Sequence, residues 1–268
     1  MLNVIHGDCE DVLDSLVEWN CIIADPPDNL GLQYDGMVDN LPEAAYYDWL
    51  ERLILKSMLL APVVWWSIYH KHDFEIKRRL GAGKLGKLGM NELRSFIWRF
   101  TFGPHRVSDC GNGFRPILRI SRPGFAWDTD SIKVPSERMA LGDSRAAAGG
   151  RVPDDVWDFS RVCGNFPERR SWHVTQHPQA LYIRMMKLSG AVAKQRPWRV
   201  LDLFGGTGTL LRAARELQMK NSQIEATVVE QSAFYCQKMG GANRANPTTV
   251  PSVMRAPGCS STKRASEG

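Results

Sequence analysis

What this 268-residue sequence lacks narrows it before anything it contains. No apolar run reaches the roughly 20 residues that a membrane-spanning helix needs. The stretch from Leu53 to Ile68 is apolar but interrupted by Lys56 and Pro62. The opening residues, Met1-Leu2-Asn3-Val4-Ile5-His6, have neither a basic leader nor a cleavage site, so nothing in them points to export. Cysteine is sparse, and its six positions (Cys9, Cys21, Cys110, Cys163, Cys236, Cys259) include no Cys-x-x-Cys pair. The expectation is therefore reduced thiols in a cytoplasmic protein, without a disulfide framework or a metal. Internal repeats are absent. What is present is an ordinary globular composition, 43% apolar and 24% charged, in a chain long enough for one large domain, or one domain with an insertion. The net charge of +5 fits a polyanionic partner without requiring one.

Two stretches bear chemistry. In Cys21-Ile22-Ile23-Ala24-Asp25-Pro26-Pro27-Asp28 a short apolar run, long enough only for a buried strand, stops at a carboxylate and two prolines. Each proline fixes φ and removes an N–H, which leaves a rigid turn of hydrogen-bond acceptors suited to an amino group. The plain alternative is a strand terminator. In Val200-Leu201-Asp202-Leu203-Phe204-Gly205-Gly206-Thr207-Gly208-Thr209-Leu210 a strand runs into a glycine-rich turn and then a helix. The glycines let backbone approach a ligand, and Thr207 and Thr209 can cap the helix. The next strand, Ile224 to Glu230, ends in a carboxylate about 20 residues on, where a ribose-binding acid belongs. By itself such a turn also fits a nicotinamide dinucleotide.

Together the two stretches resemble the signature motifs of S-adenosylmethionine-dependent DNA amino-methyltransferases, in the circularly permuted order of the β class. The resemblance implies an α/β, Rossmann-like fold with a mixed seven-stranded sheet and helices on both faces. It implies methyl transfer to the exocyclic amine of a base flipped from double-stranded DNA, in a cytoplasmic, nucleoid-associated protein. Aspartate before Pro-Pro favours adenine N6, with cytosine N4 or a weakened DNA-binding relative as alternatives; the family's habit makes a homodimer an expectation. Asp25, Pro26, Pro27 and Asp28 would be catalytic. The cofactor would meet Asp8, Cys9, Asp202, Phe204, Gly205, Gly206, Gly208, Thr209 and Glu230. It would also meet Gln176 and His177, in a turn similar to the family's His-Pro-Thr-Gln-Lys-Pro but with Val174 for proline and His177 for lysine. Asp28 departs from the motif, whose fourth residue is an aromatic that stacks on the base; Tyr34, Trp65 or Trp66 would have to replace it. DNA contacts are expected at Tyr34, His105, Arg106, Arg138, Arg145 and Arg169.

The same reading divides the chain into a catalytic half (1–120), a target recognition region (121–170), a cofactor half (171–245) and a disordered tail (246–268). Hydrophobic spacing predicts a helix from Pro42 to Leu60, a strand from Pro62 to Ile68 and an antiparallel pair, Leu93–Phe102 with Pro116–Ile120. Phe74–Leu80 reads as a helix, Gly81–Gly89 as a mobile loop, Trp172 to about Val192 as a helix, and 121–170 as irregular chain.

Overall fold

The computed structural model describes residues 1–15, 17–81, 83–89, 92–101, 107–192, 197–220 and 223–240. In chain order its first elements are β1 (Leu2–His6), α1 (Cys9–Asp14), β2 (Cys21–Ala24), β3 (Gln33–Tyr34), β4 (Met37–Val38), α2 (Glu43–Leu60), β5 (Val63–Ser67), α3 (His70–Gly81) and α4 (Lys84–Lys87). There follow β6 (Glu92–Arg99), β7 (Phe114–Ser121), a 3₁₀ turn (Asp130–Ile132), α5 (Glu137–Ala140), β8 (Val156–Asp158) and α6 (Gln179–Leu188). The last are β9 (Trp198–Asp202), α7 (Thr209–Met219), β10 (Ile224–Glu230) and α8 (Ala233–Lys238).

One sheet has the order β1-β10-β9-β2-β5-β7-β6-β8, and β3 and β4 form a separate hairpin. From β1 to β5 the neighbours are parallel. Only β7 runs against its neighbours β5 and β6, while β8 is parallel to β6. The central strands bury both faces, which is why they read as unbroken apolar runs rather than alternating ones. Ile22, Ala24, Val64, Trp66 and Leu201 pack on one face with Leu50, Ile54 and Met58 of α2. Their neighbours Cys21, Ile23, Val63, Trp65 and Val200 face the other way, toward Leu181 and Met185 of α6 and Leu210 and Ala214 of α7.

This topology sets the site. β2 and β9 are adjacent and parallel, with Ile23 opposite Asp202. Asp25 therefore leaves the sheet beside the glycine-rich turn, although some 180 positions separate them in sequence. Outside the carboxyl ends of parallel strands is where open α/β sheets bind ligands.

Several expectations are corrected. The sheet has eight strands rather than seven, because Val156–Asp158, inside the stretch read as irregular, pairs with β6. The driving force is Trp157, 1% exposed and packed on Phe96 and Trp65. Within Gly81–Gly89, Lys84–Lys87 forms a helical turn instead of a loop, with Lys84 bonded to Glu51. Helix α3 begins at His70, four residues early, while α6 begins only at Gln179 because Pro178 stands at its N-cap. The tail 246–268, with Cys259, and the end of the predicted Leu93–Phe102 strand at Phe102 lie outside the described residues.

Candidate active site

A single cavity of about 1190 Å³ is lined by both the Asp-Pro-Pro corner and the glycine-rich turn. At the corner, the Asp25 Oδ1 accepts a hydrogen bond from Arg115 of β7 at 2.8 Å. The same guanidinium grips both oxygens of Asp28, at 2.7 and 2.8 Å, and its Nε donates to Ser67 Oγ. His177 Nε2 stands 3.3 Å from Asp25 Oδ2. Burial, with Arg115 nearby, pushes the His177 pKa down to about 3, so its imidazole is neutral and the contact is not an ion pair. Burial also raises the Asp25 carboxyl above the usual range, against the opposing pull of Arg115.

The turn itself is braced from below. Tyr46 donates to the Pro27 carbonyl at 2.9 Å, and His72 Nε2 lies 2.9 Å from the Asp28 carbonyl. Among the described residues no hydrogen bond reaches the Pro26 carbonyl, whose lone pairs remain open beside the Asp25 carboxylate. The corner thus offers acceptors to an incoming amine.

The glycine-rich cradle lines the same cavity. Gly206 and Gly208 have φ of +46° and +73°, left-handed values that an L side chain resists. A Cβ at Gly208 would come within 2.9 Å of Met239 Sδ. The Glu230 carboxylate accepts from Gly206 N–H through one oxygen and from Ser232 N–H through the other, both at 2.8 Å, and burial raises its pKa. Asp202, fully buried, accepts from Phe204 N–H at 3.0 Å, and its pKa is raised well above the usual value by burial. Asp8 caps α1 through Glu10 N–H at 2.8 Å and takes Gln231 Nε2 at 2.9 Å. Cys9 is the buried first residue of that helix. The hairpin β3–β4 is tied over α8 by Ser232 Oγ donating to Asp35 at 2.5 Å and by Asp35 N–H donating to Tyr235 Oη at 3.2 Å.

The structure therefore brings Asp8, Cys9, Asp25, Pro26, Pro27, Asp28, Tyr34, Arg169, Gln176, His177, Phe204, Gly205, Gly206, Thr209 and Glu230 around one cavity. Some stand differently from expectation. His177 sits at Asp25, edge-on to Trp98 with ring centres 4.8 Å apart. Gln176 spends both ends of its amide on Arg170 N–H and the Glu168 carbonyl, holding its own loop. Thr207 and Thr209 bond each other at 2.9 Å, and the cap position falls on Gly208 without a side-chain cap. Trp65 and Trp66 are 0% exposed and cannot stack on a base. Tyr34 is the remaining aromatic of the three, its ring centre 5.7 Å from that of His173. Arg138 and Arg145 lie outside the cavity, with Arg145 paired to Asp143 at 2.8 Å. Arg169 ties the His173 carbonyl at 2.7 Å. His105 and Arg106 lie outside the described residues.

Sequence reasoning missed Arg115, Ser67, Tyr46 and His72. A signal for Arg115 existed: two carboxylates three residues apart at a buried strand tip need a counter-charge, and few basic residues start an otherwise apolar strand.

A doubly wound α/β sheet with a glycine-rich turn beside an acceptor corner defines a Rossmann-like domain. The family model described as DNA methylase, of the N6/N4 methyltransferases, matches residues 19–239, and the chain belongs to that family. It is 29% identical over 214 residues to the type II methyltransferase M.HpaI of Haemophilus parainfluenzae, covering 76% of this chain and 63% of that protein. It is 28% identical over 220 residues to the DNA adenine methyltransferase YhdJ of Escherichia coli K12, covering 77% of this chain and 72% of that one. The chain thus spans somewhat under two thirds of the length of M.HpaI. The fold matches the M1.HpyAVI–SAM complex with a TM-score of 0.58 at 15% identity, over 89% of this chain and 97% of the other. TTHA0409 of Thermus thermophilus matches with a TM-score of 0.56 at 21% identity, over 89% and 93% of the two chains. The fold is that of the Rossmann-like methyltransferases, with the Asp-Pro-Pro stretch preceding the glycine-rich turn. No helix among the described residues is long and apolar enough to cross a membrane, and no cluster of metal-ligating side chains is found among them.

Proposed function

We propose that the protein methylates the exocyclic N6 amine of adenine in double-stranded DNA, using S-adenosylmethionine. The observation that supports this reading most strongly is that the Asp25 corner and the Gly206–Glu230 cradle share one cavity. The residues present fit the cofactor: Glu230 would hold the ribose hydroxyls through its carboxylate, Asp8 and Cys9 would contact its adenine, and the glycine turn would admit backbone contact. S-adenosylmethionine supplies an electrophilic sulfonium methyl.

The chain's own part is orientation and proton handling. An exocyclic amine is a poor nucleophile because its lone pair is delocalised into the ring. Hydrogen bonds from its two protons to the Asp25 carboxylate and the Pro26 carbonyl draw the nitrogen toward a tetrahedral shape and aim the lone pair across the cavity. A carboxyl whose proton affinity burial has raised is also the better acceptor for the proton the amine then releases. Asp25 lies within the cavity, so a base in a duplex must leave its stack to reach it. Segment 121–170 would supply target recognition, and Arg169 and Tyr34 would contact the substrate. The adenine assignment rests on the aspartate before Pro-Pro and on the adenine specificity in the name of the YhdJ relative.

The test is expression in a host without adenine methylation, followed by sequencing of host DNA for modified bases. N6-methyladenine at one recurrent sequence supports the reading; N4-methylcytosine transfers it to the other amine, and unmodified DNA refutes it.

A further inference from the structure

We propose that Arg115 is a positioning residue for Asp25, that Asp28 offsets its charge, and that the three form one charge-balanced clamp. The inference rests on the reading of Asp25 as the acceptor of the target amine. Four hydrogen bonds hold the guanidinium: one to Ser67, two to Asp28 and one to Asp25. Its side chain is only 12% exposed, and that of Asp28 only 15%. Buried this deeply, Asp28 without Arg115 would be an uncompensated charge, and the reverse holds for Arg115. With both present their charges cancel. The corner then has the net charge of Asp25 alone, −1, which suits an amine that becomes cationic as it is alkylated.

The other titratable groups that face Asp25 leave this balance intact. His177 is neutral, and burial lowers the His173 pKa as well. Burial raises Tyr34, Tyr46 and Tyr182, which keeps their hydroxyls protonated, and it drives the Asp202 carboxyl toward its neutral form. Asp28 and Arg115 are thus the charged side chains bonded into the corner with Asp25. Of the four or so lone-pair sites on the Asp25 carboxylate, Arg115 takes one on Oδ1, and His177 Nε2 stands 3.3 Å from Oδ2, which leaves sites for the substrate.

Partial rescue of one substitution by the other is the consequence. Arg115→Met leaves two carboxylates facing each other without a cation. Asp28→Asn in the same chain removes the repulsion and restores part of what was lost. The titration of Asp25 can be followed by carboxyl-carbon NMR on the full chain labelled at aspartate, with Asp25→Asn assigning the signal. Arg115→Met is expected to raise the Asp25 pKa by about 1–3 units. Asp28→Asn is expected to lower it, and the double variant to fall between wild type and Arg115→Met. Arg115→Lys keeps the charge without the planar fork: its Asp25 should titrate near wild type while kcat for methyl transfer falls, and this arm serves if Arg115→Met does not fold. An Asp25 titration unmoved by Asp28→Asn, or a double variant further from wild type than Arg115→Met, overturns the clamp. A wild-type chain that transfers no methyl group yet shows this ordering refutes the proposed function and supports the clamp. Active enzyme with an unmoved Asp25 does the opposite.

Discussion

Replacing Glu230 by glutamine tests the cradle directly. In the structure its two oxygens accept from Gly206 N–H and Ser232 N–H at 2.8 Å each. Glutamine keeps one oxygen but presents an NH₂ in place of the other, so one of those backbone donors loses its partner. A buried donor left unmade costs about 1–3 kcal/mol, which in a chain of this size lowers Tm by roughly 2–4 °C per kcal/mol. The ligand side is more telling. Hydrogen bonds to a charged acceptor are worth about 1.5–3 kcal/mol, and each 1.4 kcal/mol is tenfold in affinity. Calorimetric titration with S-adenosylmethionine should therefore show Glu230→Gln binding roughly tenfold to a hundredfold more weakly. The pH dependence adds an independent check. Burial raises the Glu230 pKa above 4.5, and binding needs the ionised form. Wild-type affinity should fall as pH drops through that raised pKa, whereas the Glu230→Gln value should stay flat. A variant that binds within twofold of wild type, with the same pH profile, would refute the assignment of this carboxylate to the cofactor.

Two further outcomes follow from packing and burial. The Asp202 carboxyl is raised in the folded state, so its protonation favours folding at acid pH and that contribution is lost as pH rises through the folded pKa. Asp202→Asn is permanently neutral and keeps an acceptor for Phe204 N–H, so in urea titrations of the apo protein it should be more stable than wild type at pH 8, with the gap closing toward pH 4. Trp157→Ala should cost about 3–5 kcal/mol in chemical denaturation, because the indole is 1% exposed and wedged against Phe96 and Trp65; a loss under about 1 kcal/mol would mean that β8 is held by its backbone alone.

The pattern of residues made much of this legible and hid the rest for identifiable reasons. Strands β2 and β9 announce themselves because two-sided burial demands continuous apolar runs, and the prolines and glycines that end them mark the two corners of the site. Helix α2 was readable from its spacing, yet the chemistry of Tyr46 was not: the hydroxyl that braces Pro27 looks in sequence like any packed aromatic. β8 was invisible because three residues in a proline- and glycine-rich stretch have no period of their own; they become a strand only when β6 offers an edge and Trp157 a hole to fill. Of the three stand-ins for the missing aromatic of the motif, Tyr34 lines the cavity, whereas alternation along β5 sends Trp65 and Trp66 one to each buried face. The paired carboxylates Asp25 and Asp28 signal a need for a counter-charge, but partners 87 and 90 positions away leave nothing local to say that Arg115 supplies it.

The central claim is that the Asp25 carboxylate activates an amine held in the cavity it shares with the glycine cradle. The most direct measurement is incorporation of labelled methyl from S-adenosylmethionine into unmethylated duplex DNA, with wild type and Asp25→Asn matched for cofactor and DNA binding. The account predicts label recovered as N6-methyladenine from wild type and a loss of at least about a hundredfold in the variant. Equal incorporation by the two proteins would contradict it.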